Sequence, residues 1–278
     1  MRCAGKGSPT VVLEGGFGAD SHAWDRVEPQ VAGLTRVCAY DRAGYGFSDM
    51  GPLPRDGAAV ARDLEAALRA GGIGLPFVLV GHSVGALYAR IFANRWPRAV
   101  VGMVFIDPAP DHEDVRLAAA GGPGAGSLAG LRERPARCLA AANAGVLPSK
   151  DPGLAACLAG STSLARRRDN WLTQISELDT LWGATSDEVA SGRSSYGEMP
   201  MIVLTADGTF SDVPDPPRAS LSLLWLRLHQ QMASLSAHGS SRLIAHSSHM
   251  MIFDRPDAII QAIQDVVTQA RSHAPASP

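Results

Sequence analysis

A chain of 278 residues with 46% hydrophobic residues can bury the core of one large domain and still carry an insertion. Its net charge of -2 and pI near 6.4 exclude electrostatic nucleic-acid binding, which needs clustered Lys and Arg; the one basic run, Arg166-Arg167-Arg168, reads as a solvated helix face. No stretch of about 18 apolar residues could span a membrane, Met1 to Ser8 lacks the apolar core of a secretory signal, and Cys3, Cys38, Cys138 and Cys157 show no C-x-x-C spacing, so a cytoplasmic protein with reduced thiols is expected.

Short apolar or β-branched runs bounded by turn residues predict strands at Thr10 to Leu13, Arg36 to Tyr40, Phe77 to Val80, Val100 to Ile106, Met201 to Thr205 and Arg242 to Ala245. Helical patterns fall between them, at His22 to Val31, Ala58 to Ala70, Val84 to Asn94, Ser220 to Ser236 and Pro256 to Ala270. That alternation predicts an α/β fold, a mostly parallel sheet with helices on both faces. From Asp111 to Glu198 the rhythm breaks into a Gly-Ala stretch (Ala118 to Gly130) and helical pieces at Pro135 to Ala142 and Leu164 to Leu181. Trp171, Ile175, Leu178 and Trp182 recur at near-helical spacing, so part of this interval should pack. The expected division is a core of residues 1–110 and 199–278 with a helical cap inserted at 111–198, over the carboxyl ends of the strands. Ser272 to Pro278 reads as a frayed tail.

The chemistry centres on Gly81-His82-Ser83-Val84-Gly85, which follows an apolar run and opens a helical stretch. In that context the pentapeptide predicts a nucleophile elbow with Ser83 exposed on a sharp strand-to-helix turn. A serine hydroxyl needs a base, and the base needs an orienting acid. His249, just beyond the last predicted strand, is the candidate base, while His82 is expected to shape the turn and His22 to line the first loop or start a helix. Asp107, at the end of one strand, and Asp207, after the next, both keep the order Ser, Asp, His and are both candidate acids. His246 and His249 could pair as metal ligands, but no third ligand sits beside them, so no metal or organic cofactor is expected. Oxyanion donors are expected from the Val84 amide, at the positive end of the elbow helix, and the Phe17 amide in Glu14-Gly15-Gly16-Phe17-Gly18. That loop has no phosphate-binding pattern.

Taken together, Gly15-Gly16-Phe17-Gly18, the segment Tyr40-Asp41-Arg42-Ala43-Gly44-Tyr45-Gly46-Phe47-Ser48-Asp49, the Ser83 elbow, Ile106-Asp107-Pro108 and Ser248-His249 resemble the α/β-hydrolase family over most of the chain outside the cap. The resemblance implies a serine hydrolase with Ser83 as nucleophile and His249 as base. Three departures stand out. Gly15-Gly16 replaces the usual His-Gly of the oxyanion loop; the chain starts near the family's third strand, so one sheet edge should be short; and the family's usual acid position falls on Thr209. Some members carry the acid after the earlier strand, which favours Asp107 over Asp207. The chain is also similar to serine-dependent macrolide esterases, which open the lactone of large antibiotics, and a long cap with flexible glycines and apolar helices would suit a bulky apolar ester or lactone. Thioesterases, carbon-carbon bond hydrolases, peptidases and a ligand-sensing protein on the same scaffold are the alternatives; epoxide hydrolases and haloalkane dehalogenases use an aspartate where Ser83 stands.

Overall fold

The computed structural model describes residues 1–121, 126–147, 151, 154, 157 and 164–273. Seven strands form one sheet: β1 (Arg2–Ala4), β2 (Thr10–Glu14), β3 (Val37–Ala39), β4 (Phe77–His82), β5 (Val100–Ile106), β6 (Met201–Ala206) and β7 (Gly239–Ile244). Their spatial order is β1-β3-β2-β4-β5-β6-β7, parallel throughout except that β1 runs antiparallel to β3. Every residue of β2 and β4 is buried, as a strand covered on both faces requires.

Successive side chains of β4 serve the two faces in turn. Phe77 and Leu79 pack with Leu64 and Leu68 of α2 (Gly57–Ala70) and with Leu87 and Ile91 of α3 (Gly85–Arg95). Val78 and Val80 pack on the other face, with Val31, which belongs to the short helix α1 (Glu28–Ala32). Ile259, Ile263 and Val267 of the C-terminal helix Pro256–Ser272 complete that face. Each such side chain, fully buried, stabilises the fold by about 2 kcal/mol before chain entropy is counted.

Between β5 and β6 the chain forms α4 (Glu113–Ala119), α5 (Gly126–Asn143), α6 (Leu164–Thr180) and α7 (Ser186–Ala190), and α8 (Pro217–Ala233) follows β6. Leu178 and Leu181 join the core on the α2 and α3 face, whereas Trp171 packs in a separate cluster with Cys138, Ala141, Leu147 and Cys157. The helix expected at His22 to Val31 is instead a short 3-10 turn, Ser21–Trp24, followed by α1 with Pro29 in its first turn. Proline suits that position because its missing N–H has no intrahelical partner there.

All four cysteines are paired, Cys3 with Cys38 and Cys138 with Cys157, which corrects the expectation of reduced thiols. The reason lies in tertiary structure, since Cys3 and Cys38 stand directly opposite one another in the β1–β3 register. The basic run is also more structural than expected. Arg167 is buried and donates to the Cys157 carbonyl at 3.2 Å, and Arg168 donates to Asn143 at 2.7 Å. Part of the expected Gly-Ala stretch, residues 122–125, and most of the expected tail, residues 274–278, lie outside the described residues.

Candidate active site

β4 ends in His82, Ser83 forms the turn, and α3 begins two residues later. Ser83 has φ of +54°, a left-handed conformation that a non-glycine residue holds only when its surroundings enforce it. The flanking glycines do so. A Cβ at Gly81 would lie 2.8 Å from the Ala86 backbone, and one at Gly85 would lie 2.7 Å from the carbonyl oxygens of Glu14 and Gly15.

Three strand ends converge on this turn. The Ser83 hydroxyl lies 3.0 Å from Nε2 of His249 and donates to it; Nδ1–H of His249 donates to Oδ2 of Asp107 at 2.7 Å. Asp107 is fully buried at the end of β5. Its Oδ1 accepts from the Ala206 amide at 3.0 Å and the Trp225 indole at 2.9 Å, and Oδ2 accepts from the Thr209 hydroxyl at 2.6 Å. Burial alone would raise the Asp107 pKa, but the bonds from His249 and Thr209 overcome it and hold the carboxylate below its usual range. Burial likewise disfavours charge on His249, yet Asp107 lifts its pKa above that of an ordinary histidine. Asp207 does not reach His249. Its two carboxylate oxygens accept from the His246 and Ser247 amides at 3.0 and 3.1 Å, bracing the loop that carries the imidazole.

The glycine loop after β2 is anchored by a group the sequence reading quoted only as part of a motif. Arg42, 2% exposed, donates to the carbonyl oxygens of Gly15 and Gly16 at 2.7 and 2.9 Å, and to Glu14 at 2.8 Å. Its Nε donates to Glu177 of α6 at 3.0 Å, and Tyr45 donates to the same carboxylate at 2.7 Å. Burial opposes the Arg42 charge, and Glu177 and Glu14 more than offset it, so its pKa stands well above the usual value. One guanidinium thus fixes the loop and ties it to the inserted helices. Neither the Phe17 nor the Val84 amide has an acceptor among the described residues, and both residues line the cavity over Ser83.

That cavity has a volume of about 390 Å³. Ser83, His249 and Thr209 lie on its sheet side, and Glu113, Leu178 and Trp182 come from the insertion between β5 and β6. His82 also borders it. Its Nε2–H donates to the His249 carbonyl at 2.8 Å, its Nδ1 is buried without a partner, and burial lowers its pKa to about 4, so it is neutral and braces the turn as expected. His22 is not part of this lining; it is exposed, 3.2 Å from Asp25. Among the described residues no group of three or more His, Cys, Asp or Glu could hold a metal ion, and no helix is long and apolar enough to cross a membrane.

Residues 11–262 match the Alpha/beta hydrolase family. The chain belongs to that family. Its relatives include a protein of Bacillus subtilis named YqjL, 31% identical over 105 residues, which is 38% of this chain and 42% of YqjL. An AB hydrolase superfamily protein of Gibberella zeae is 36% identical over 103 residues, 36% of this chain and 32% of its own. The chain therefore spans less than half the length of these relatives. Solved structures match far more of it. DbjA aligns with TM-score 0.67 at 18% identity over 99% of this chain and 96% of its own, and the epoxide hydrolase CorEH with TM-score 0.60 at 16% identity over 96% and 93%. These likenesses establish the shared fold.

Proposed function

We propose that the protein is a serine-dependent hydrolase of carboxylic esters or lactones, with Ser83 as nucleophile, His249 as general base and Asp107 as the orienting acid. The continuous hydrogen-bonded chain from Asp107 Oδ2 through His249 to Ser83 Oγ, at 2.7 and 3.0 Å, carries the reading. Ser83 Oγ attacks the substrate carbonyl carbon while its proton passes to His249 Nε2, and the Phe17 and Val84 amides donate to the oxyanion that forms. Collapse of the tetrahedral intermediate expels the alkoxide, which takes the proton from His249, and leaves an acyl-Ser83. Water then gives a proton to His249, attacks the acyl carbon and releases the carboxylic acid, with the proton returning to Ser83.

Serine rather than aspartate at the elbow separates this chemistry from that of the epoxide hydrolase neighbours, whose covalent nucleophile is a carboxylate. In this reading residues 111–198 act as the cap and residues 1–110 and 199–278 as the catalytic core; the cavity walls drawn from both support it. A cavity of about 390 Å³ with a largely apolar lining suits a compact apolar ester, or the reacting end of a larger lactone such as a macrolide. The cytoplasmic placement drew on reduced thiols, the lack of a secretory-type apolar stretch in Met1 to Ser8 and the lack of a membrane-spanning run; with both disulfides formed, an oxidising compartment is the better proposal.

Ser83→Ala tests the assignment. Hydrolysis of a panel of p-nitrophenyl esters should fall by on the order of a million-fold in kcat, and a fluorophosphonate should label the wild type at Ser83 alone. Undiminished hydrolysis by the variant would overturn the proposal. Tight ligand binding by an unlabelled serine would favour a sensor on the hydrolase scaffold.

A further inference from the structure

Seventeen described residues line the cavity, and their chemistry is lopsided. Phe17, Trp182, Phe210 and Trp225 are four of them, whereas aromatic residues make up 6% of the chain. Glu113 is the one Asp or Glu in that lining, and it contains no Lys or Arg. The Glu113 carboxyl has no hydrogen-bond partner among the described residues. The charged groups acting on it are His249, which favours its ionised form, and Asp107 and Asp114, which oppose it.

A carboxyl with no Lys or Arg beside it in the lining, sharing one cavity with four aromatic side chains, matches one class of ligand group. The negative faces of the rings attract a cation electrostatically, and a bulky, weakly hydrated ammonium gives up little hydration to reach them. A phosphate or carboxylate on the ligand would meet the opposite, repelled by an ionised Glu113 and offered no Lys or Arg in the lining. A wholly apolar ligand would leave Glu113 buried and unpaired. Trp182 adds a further open group, since its indole N–H is buried without an acceptor among the described residues.

From this lining we propose that the cavity selects esters or lactones that carry a cationic amine, with Glu113 pairing with the ammonium and the surrounding aromatic rings enclosing it. The inference deepens the ester hydrolase reading and rests on it. Burial pushes the Glu113 pKa up to about 7, so the free site exchanges between acid and carboxylate near neutral pH and an incoming ammonium draws it to the carboxylate.

The test compares two p-nitrophenyl esters of the same acyl length, one ending in trimethylammonium and the other in its neutral isostere, tert-butyl. The wild type should prefer the cationic ester in kcat/KM by on the order of ten-fold at pH 8, and the preference should shrink as pH falls through about 7. Glu113→Gln should cut the ratio several-fold, leaving only what the aromatic rings supply, while Glu65→Gln, on the outer side of α2, should keep it. Equal handling of the two esters by the wild type, or an unchanged ratio in Glu113→Gln, would overturn the proposal. Dissociation constants of both esters for Ser83→Ala, read by tryptophan fluorescence, give the same comparison without turnover. If the preference survives there while Ser83→Ala still hydrolyses esters, the cation site stands and the serine mechanism falls; if Ser83→Ala is dead and the preference is absent, the mechanism stands and the cation site falls.

Discussion

The two walls of the cavity are built on opposite principles. On the sheet side the Ser83, His249 and Asp107 side chains are joined in one hydrogen-bonded chain. Asp107 accepts four hydrogen bonds, from His249, Thr209, Trp225 and Ala206, and His249 spans between Asp107 and Ser83. On the side of the insertion, the Glu113 carboxyl and the Trp182 indole N–H have no partner among the described residues. A chain of bonded side chains is held in one geometry, whereas an unbonded polar group is incomplete until a ligand arrives. The proposed chemistry and the proposed selection of substrate thus fall on different parts of the chain.

The sharpest way to break that division is to corrupt the bonded wall at Asp107. Asp107→Asn keeps the shape but can donate toward Nδ1, leaving His249 in the wrong tautomer, and should lower kcat by on the order of ten-thousand-fold. Asp207→Asn should cost far less, because that carboxylate braces the His246 and Ser247 amides and does not touch the imidazole. Steady-state kinetics on one ester compares them. Equal losses would mean that the distinction between orienting acid and loop brace is false.

A second break severs the link between the walls. Arg42→Met leaves Glu14 and Glu177 buried without their cation and frees the carbonyl oxygens of Gly15 and Gly16. Removing one partner of such a buried set costs about 3–5 kcal/mol, readable as a drop in urea stability. In the folded fraction kcat should fall more than KM rises, since the Phe17 amide loses its support while the cavity walls remain. A change confined to stability would reduce Arg42 to a packing role.

How much of this was legible in the sequence depends on whether a signal was local. Ser83, His249 and the strand carrying Asp107 were readable because an apolar run, a glycine-flanked turn and a late histidine are all written along the chain. Thr209 was read as a position where an acid was missing; in the fold its hydroxyl supports Asp107, the acid one strand earlier. The β1 strand escaped because Arg2-Cys3-Ala4 is three residues with no pattern of its own, and it exists through pairing with β3. The disulfides escaped for the same reason. Arg42 sat within a quoted motif, yet its partner Glu177 lies 135 residues away, and no spacing rule connects them. Glu113 opens α4 after His112, whose φ is +48°, and only the fold turns that position toward Ser83.

The unbonded wall should also leave a thermodynamic signature, smaller than the effects above but specific to it. Burial pushes the Glu113 pKa up to about 7 in the folded protein, against about 4.3 in an unfolded chain. The folded state therefore favours the neutral acid: the contribution is fully present below about pH 4.3 and is lost as pH rises through about 7. Glu113→Gln is neutral at every pH and escapes the loss. Its stability relative to wild type, from urea denaturation, should rise between about pH 5 and pH 8 by on the order of 1–3 kcal/mol. A variant that gains stability while losing preference for the cationic ester would mark Glu113 as kept for its ligand at the expense of the fold. A stability difference flat with pH would show instead that water already solvates the carboxyl, and the contrast between the two walls would lose its most charged member.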